Sequence, residues 1–157
     1  MREPNQILTA RELMATSLLV FHPEQPILEA IACLIKRCVS GAPVVDENDV
    51  LVGALSELDC LRMLTTDDFY LEQHEGGASV RQFMSTGGRT IPPDLGIYAI
   101  SHYFLTSAVR RLPVVEHEKL IGQVSRRDVL RGVETMSRKR LETKRYPDYR
   151  RPAAYAG

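Results

Sequence analysis

The sequence predicts an α/β fold built from two pseudo-symmetric copies of one small unit, each β-α-β-β-α, packed through their sheets. Three observations predict it. The chain repeats itself: pairing Arg11–Val45 with Arg81–Val115, then Val50–Leu64 with Lys119–Val133, gives 15 identities in 50 pairs, against about three expected from common residue usage. Each copy places a helix-period segment ahead of a short β-branched run, Pro43-Val44-Val45 or Pro113-Val114-Val115. Each copy then closes on a glycine-apolar-serine run that reads as the returning strand of a hairpin followed by a helix start. A repeat of this length is a duplicated subdomain rather than a solenoid turn.

The elements follow in order. ARELM and VRQFM read as short helical lead-ins, and LLVF and RTI as a first strand that proline ends. In PILEAIACLIKRCV the apolar positions 27, 28, 31, 34, 35 and 38 mark one helix face. The matching GIYAISHYFLTSAV follows Asp94, a suitable N-cap. APVVD and LPVVE are strands, DEND and EHEK are turns, and VLVGALS and KLIGQVS are the returning strands. Ser56 and Ser125 open the last helix of each copy. The expected organisation is an N-terminal extension over 1–9, a first repeat over 10–64, a linker over 65–79, a second repeat over 80–134 and a basic tail over 135–157. Neither copy alone covers both faces of its sheet, so pairing of the two sheets is expected to form a common core.

Composition narrows the class. Hydrophobic residues make up 44% and charged residues 25%, as in ordinary globular proteins. The longest apolar runs are far too short to span a bilayer, and MREPNQILTA has no apolar secretory region. Three cysteines without a CxxC pair argue for a reducing compartment, so the expected location is cytoplasmic. Net charge is zero, but Ser137–Gly157 holds seven basic residues and two acids, which leaves the rest of the chain acidic. That tail reads as a solvated helix end or as a segment for an acidic surface. Binding of nucleic acid is disfavoured, because Pro147 and Pro152 interrupt the tail and the remainder is acidic.

The candidate chemistry sits in GALSELDCL (Gly53–Leu61) and GQVSRRDVL (Gly122–Leu130). Ser-x-x-Asp at a helix start reads as a capping box with Asp in place of the usual Glu or Gln. The same geometry offers free amides to an anion and an acid to a ribose diol. The two roles can coexist. The second copy adds Arg110 and Arg111 before Leu112, and Arg126 and Arg127 inside the motif, where the first has Ser40, Gly41, Glu57 and Leu58. Guanidinium forks suit phosphate, and the alternative for these arginines is a solvated basic patch.

This duplicated pattern resembles the tandem CBS domain, or Bateman module. The resemblance is carried by Met14 and Met84, by Pro23 with Pro92 and Pro93, by the two Pro-Val-Val strands, and by Gly53, Leu55, Ser56, Asp59 with Gly122, Val124, Ser125, Asp128. It implies two pseudo-symmetric CBS subdomains with clefts between them for AMP, ADP, ATP or another adenosyl compound. It also implies a regulatory, energy-sensing homodimer without catalytic output that acts on an effector protein. It maps Asp128 and Asp59 onto ribose-binding acids, Ser125 and Ser56 onto neighbouring hydroxyls, and Arg111 and Arg126 onto phosphate-binding positions. Thr90 and the Pro113-Val114 backbone are expected to border the adenine, and the GALSELDCL pocket is expected to be weaker, to prefer an uncharged adenosyl group or to stay empty. The dimer surface is expected on the last helices, with Leu58, Leu61, Met63, Val129, Leu130 and Val133 as candidates.

No catalytic or metal-binding pattern competes with this reading. His22, His74, His102 and His117 are scattered, and no phosphate loop, G-x-S-x-G or Rossmann fingerprint is present. Cys33 and Cys38 are expected on the helix's core face, and Tyr98, Tyr103 and Phe104 as packing or rim residues. The remaining alternative is a dimerisation or protein-interaction module that needs no ligand.

Overall fold

A computed structural model describes residues 7–65 and 77–143, without the side chains of 141–143. Most of the expected linker and the tail from Lys144 onward lie outside the described residues. The first copy runs α1 (Ala10–Leu13), α2 (Ile27–Arg37), β1 (Gly41–Val45), β2 (Leu51–Ser56), α3 (Glu57–Arg62) and a 3-10 turn (Met63–Thr65). The second runs α4 (Val80–Phe83), α5 (Ile97–Thr106), β3 (Arg111–Glu116), β4 (Lys119–Ser125) and α6 (Arg126–Thr143).

Each copy carries one antiparallel hairpin, and the two hairpins share a register irregularity at the same place, Val44/Val45 and Val114/Val115. The turns differ. In the first, the Asp46 carboxylate accepts from the amides of Asn48 and Val50, an aspartate-built turn. The second is two residues long, with His117 and Glu118 both at positive φ, as the strand-matching two-residue turn requires. The expected first strands shrink to single-residue parallel contacts. Phe21 bridges Val44, and Ile91 bridges Val114. Pro23, and Pro92 with Pro93, follow at once and end any ladder.

Among the described residues the buried ones form two clusters, not the expected common core. One gathers Phe21, Ile27, Ala30, Leu34, Val44 and Leu55 with Ala78 and Val80. The other gathers Ile91, Ile97, Ile100, Leu112, Val114 and Val124 with Ala10 and Leu13. The lead-in helices are therefore exchanged: α1 completes the second copy's core and α4 the first copy's. Backbone bonds fix the exchange symmetrically. The amide of Ala10 donates to Leu95 and that of Ile97 to Leu8; the amide of Val80 donates to Gln25 and that of Ile27 to Ala78. The exposed pairs Arg11–Glu116 and Arg81–Glu24 lie on the same seams and contribute little.

Several local expectations are corrected. The N-cap of α5 is Gly96, not Asp94. The Ile97 amide already has the Leu8 carbonyl, so no side-chain cap is required there. On α2 the buried face is Ile27, Ala30 and Leu34, whereas Leu28 and Ile35 are exposed. Cys38 leaves the core face, because it ends α2 in a left-handed conformation and is exposed. Tyr103 and Phe104 pack on the second core, while Tyr98 is exposed.

Candidate functional site

The two helix starts are built alike. In the first copy Ser56 Oγ accepts from the Asp59 amide at 3.2 Å, and Asp59 Oδ2 accepts from the Ser56 amide at 2.8 Å and from the Ser56 hydroxyl at 2.9 Å. In the second, Ser125 and Asp128 repeat this at 3.2, 2.8 and 2.8 Å. Arg62 Nη1 donates to Asp59 Oδ1, and Arg131 Nη1 to Asp128 Oδ1, both at 3.0 Å. The capping half of the reading is thus met in both copies. The acids then diverge. Asp59 takes a fourth donor, the Ser85 hydroxyl at 2.9 Å, and its side chain is 5% exposed, against 13% for Asp128.

Between the copies lies a cleft of about 1010 Å³, at the upper end of ordinary ligand pockets of roughly 300–1,000 Å³. The first copy contributes Ser40–Pro43, β2 and the start of α3; the second contributes Ser85–Thr90, Ala108–Arg111, Pro113 and Gln123. Among the described residues its charged lining is Arg89, Arg110 and Arg111 against the acid Glu57, so this lining favours an anion. Arg89 lies 4.3 Å from the Tyr103 ring centre, a cation–π contact.

Arg111 sits between the two helix starts. It pairs with Ser125 across the β3–β4 hairpin, while its Nη1 donates to the Gly41 carbonyl at 2.7 Å. Gly41 is the register partner of Ser56 and stands where the first copy would carry its own arginine. The absent side chain leaves that carbonyl open to the other copy's guanidinium.

The expected site residues are therefore grouped in a way the motif alone did not show. Thr90, Pro113, Arg110 and Arg111 line a cleft with Ser56, not with Ser125 and Asp128. Val114 lies wholly in the second core, and the Pro113 carbonyl already accepts from Ile91. Arg126 is exposed and donates to the Val109 carbonyl at 3.3 Å, which places it beside the cleft wall; Arg127 is exposed. Asp59 is buried beneath its cap. Sequence reasoning missed Arg89 and Ser85. Arg89 carried a usable signal, being the neighbour of Thr90, but Ser85 becomes visible only once α4 is known to pack on the other copy. Cys60, half-buried next to the motif, has its thiol pKa pushed up by burial first, then by the charges of Asp59 and Glu57. A raised pKa makes it a poor nucleophile at neutral pH.

Among the described residues, Leu58, Leu61, Leu64, Leu130 and Val133 are exposed on or beside α3 and α6. Met63 and Val129, also expected on that surface, are instead buried in the two cores. No helix among the described residues is long and apolar enough to cross a membrane.

Comparison with known proteins places this arrangement. A family model described as CBS domain matches residues 10–66 and 80–135. The CBS domain-containing protein YhcV of Bacillus subtilis is 27% identical over 121 residues, covering 77% of this chain and 82% of YhcV. The structure of CBSX2 in complex with AMP superposes with a TM-score of 0.72 at 28% identity, over 82% of this chain and 98% of that one; CBSX2 comes from Arabidopsis thaliana. The CBS domain pair of protein MJ0100, solved with 5′-methylthioadenosine and S-adenosyl-L-methionine, shares the fold with a TM-score of 0.65 at 21% identity, over 83% of this chain and 98% of that one. Three other curated relatives are longer, and the chain spans 41%, 14% and 15% of them.

Proposed function

The chain belongs to the CBS-domain family, and on that premise we propose that it is a regulatory module that binds adenine nucleotide between its two copies and modulates a partner protein. The observation that carries this reading is the inter-copy cleft, which brings Thr90, Arg110 and Arg111 of one copy to Ser56 of the other. The AMP complex of CBSX2 supports the ligand class.

In this reading the base lies near Thr90 and Pro113, and the phosphate meets Arg110 or Arg111. By pseudo-symmetry a second site forms at the other helix start. There Asp128 accepts from the ribose hydroxyls, and Ser125, the first amides of α6 and Arg126 or Arg127 face the phosphate. Binding shifts the relative placement of the copies only where the ligand favours one arrangement. Arg111 offers such a difference, because a phosphate that recruits it takes it from the Gly41 carbonyl. The chain itself performs no catalysis in this reading.

Calorimetry tests it. Charge-assisted bonds contribute about 1.5–3 kcal/mol, so Arg111→Ala or Arg126→Ala is expected to weaken AMP by roughly tenfold or more and to leave adenosine nearly unchanged. Asp128→Ala is expected to weaken both alike. Wild type that binds no adenine nucleotide at millimolar concentration would instead favour a ligand-independent interaction module, with both Ser-Asp pairs acting as caps alone.

We further propose a homodimer through the exposed apolar residues of α3 and α6. Sedimentation at micromolar concentration is expected to show a dimer, and a monomer with and without nucleotide sinks the idea.

A further inference from the structure

The duplication provides an internal control on the two acids. Ala54 exchanges two backbone hydrogen bonds with Ser85, at 2.9 and 2.9 Å, and Gln123 exchanges the equivalent two with Ala15, at 2.9 and 3.0 Å. The backbone register of the exchanged lead-ins is therefore the same in both copies. The cap is the same, and so is the arginine partner, Arg62 or Arg131. One difference remains in this ring of donors: Ser85 has a hydroxyl where Ala15 has a methyl. A carboxylate has about four acceptor positions. Asp59 fills all four with the Ser56 amide and hydroxyl, Arg62 and Ser85. Among the described residues Asp128 fills three, with the Ser125 amide and hydroxyl and Arg131. The open position on Asp128 is the one the Ser85 hydroxyl occupies on Asp59.

We infer that Ser85 is a specificity-determining residue: it closes Asp59 to a ribose diol, so the Ser56 site accepts nucleotides with or without the 2′-hydroxyl, while the Ser125 site, with Ala15 in that place, demands the diol. The inference rests on the adenosyl reading above and assigns the two sites different substrate classes. For both ribose hydroxyls to bond Asp59, Ser85 and Arg62 must both be displaced, since each holds one of the two positions the diol needs. At Asp128 one position is open, and Arg131, 68% exposed on its side chain, can swing into solvent. The closed site then holds its ligand through Arg89, Arg110 and Arg111 and through the base, none of which senses the sugar's 2′-position.

The test is a titration of AMP and 2′-deoxy-AMP into wild type, Ala15→Ser and Ser85→Ala. Each exchange adds or removes one hydroxyl at an exposed position, and circular dichroism checks that each variant is folded. Wild type is expected to show one site that prefers AMP by about tenfold and one that treats the two nucleotides alike. Ala15→Ser is expected to bring the preference at the selective site down to about one. Ser85→Ala is expected to give the indifferent site a preference of its own. An Ala15→Ser protein that keeps the wild-type preference, or a Ser85→Ala protein whose second site stays indifferent, overturns the assignment while leaving nucleotide binding intact. Wild type that binds neither nucleotide at millimolar concentration overturns the adenosyl reading and this assignment with it.

Discussion

Phe21→Ala is expected to lower the free energy of unfolding by about 3–5 kcal/mol. Phe21 is wholly buried and is the largest such side chain in the first copy's core, packed with Ile27, Leu34, Val44 and Leu55. Its backbone is pinned on both sides, its amide donating to Pro43 and its carbonyl accepting from Val45, each at 2.9 Å. The segment cannot easily move inward to fill the space left by the ring, so most of the cavity stays open. Domains are stable by about 5–15 kcal/mol, so this one substitution removes roughly a fifth or more of the total. Urea denaturation followed by circular dichroism measures it. A loss below about 1 kcal/mol would show that the site collapses and that the single-residue bridge does not hold the segment in place.

Gly53→Ala is expected to cost about 1–3 kcal/mol, and more than Gly122→Ala. Both glycines lie where the opposite lead-in crosses the hairpin. A Cβ on Gly53 would stand 2.7 Å from the Ser85 carbonyl oxygen and 3.1 Å from Met84 Sδ. The nearest atom is backbone, so the seam itself must open. A Cβ on Gly122 would meet Met14 Sδ at 2.4 Å and Cγ at 2.8 Å, with the Ala15 carbonyl at 3.0 Å. A methionine side chain can swing aside, whereas a bridged carbonyl cannot. Paired denaturation curves separate the two, and equal losses would mean that side-chain crowding, not the backbone seam, sets the cost.

What the sequence made legible is what local pattern encodes. The hairpins, their β-branched first strands and both serine-aspartate helix starts follow from residues within a few positions of one another. The departures share another origin. Leu28 and Ile35 read as core because periodicity marks apolar positions, yet Ala30 takes the buried place between Ile27 and Leu34. Met63 and Val129 read as dimer surface because the resemblance places the last helices there, but each faces its own copy's core. Asp94 is a sound cap by chemistry, and Leu8 satisfies the amide instead. The composition of the cleft was hidden for the same reason. Thr90 and Arg111 belong to the same copy as Ser125, but the pseudo-symmetric docking of the copies brings them to Ser56. Local patterns carry no record of which partner arrives from 70 residues away.

The exchanged lead-ins also set when this chain can fold as it is made. Ribosomes release the N-terminus first, so α1 emerges with no core to enter, because Ile97, Leu112 and Val124 are not yet synthesised. The first copy is likewise incomplete until Val80 and Phe83 have left the exit tunnel. Neither half can close during early translation, and the backbone bond from Ala10 to Leu95 closes a loop of more than half the chain. Contacts of such sequence separation slow folding and prolong the exposure of unpaired apolar surface. The nascent chain therefore keeps part of its apolar surface uncovered until its second copy is nearly complete.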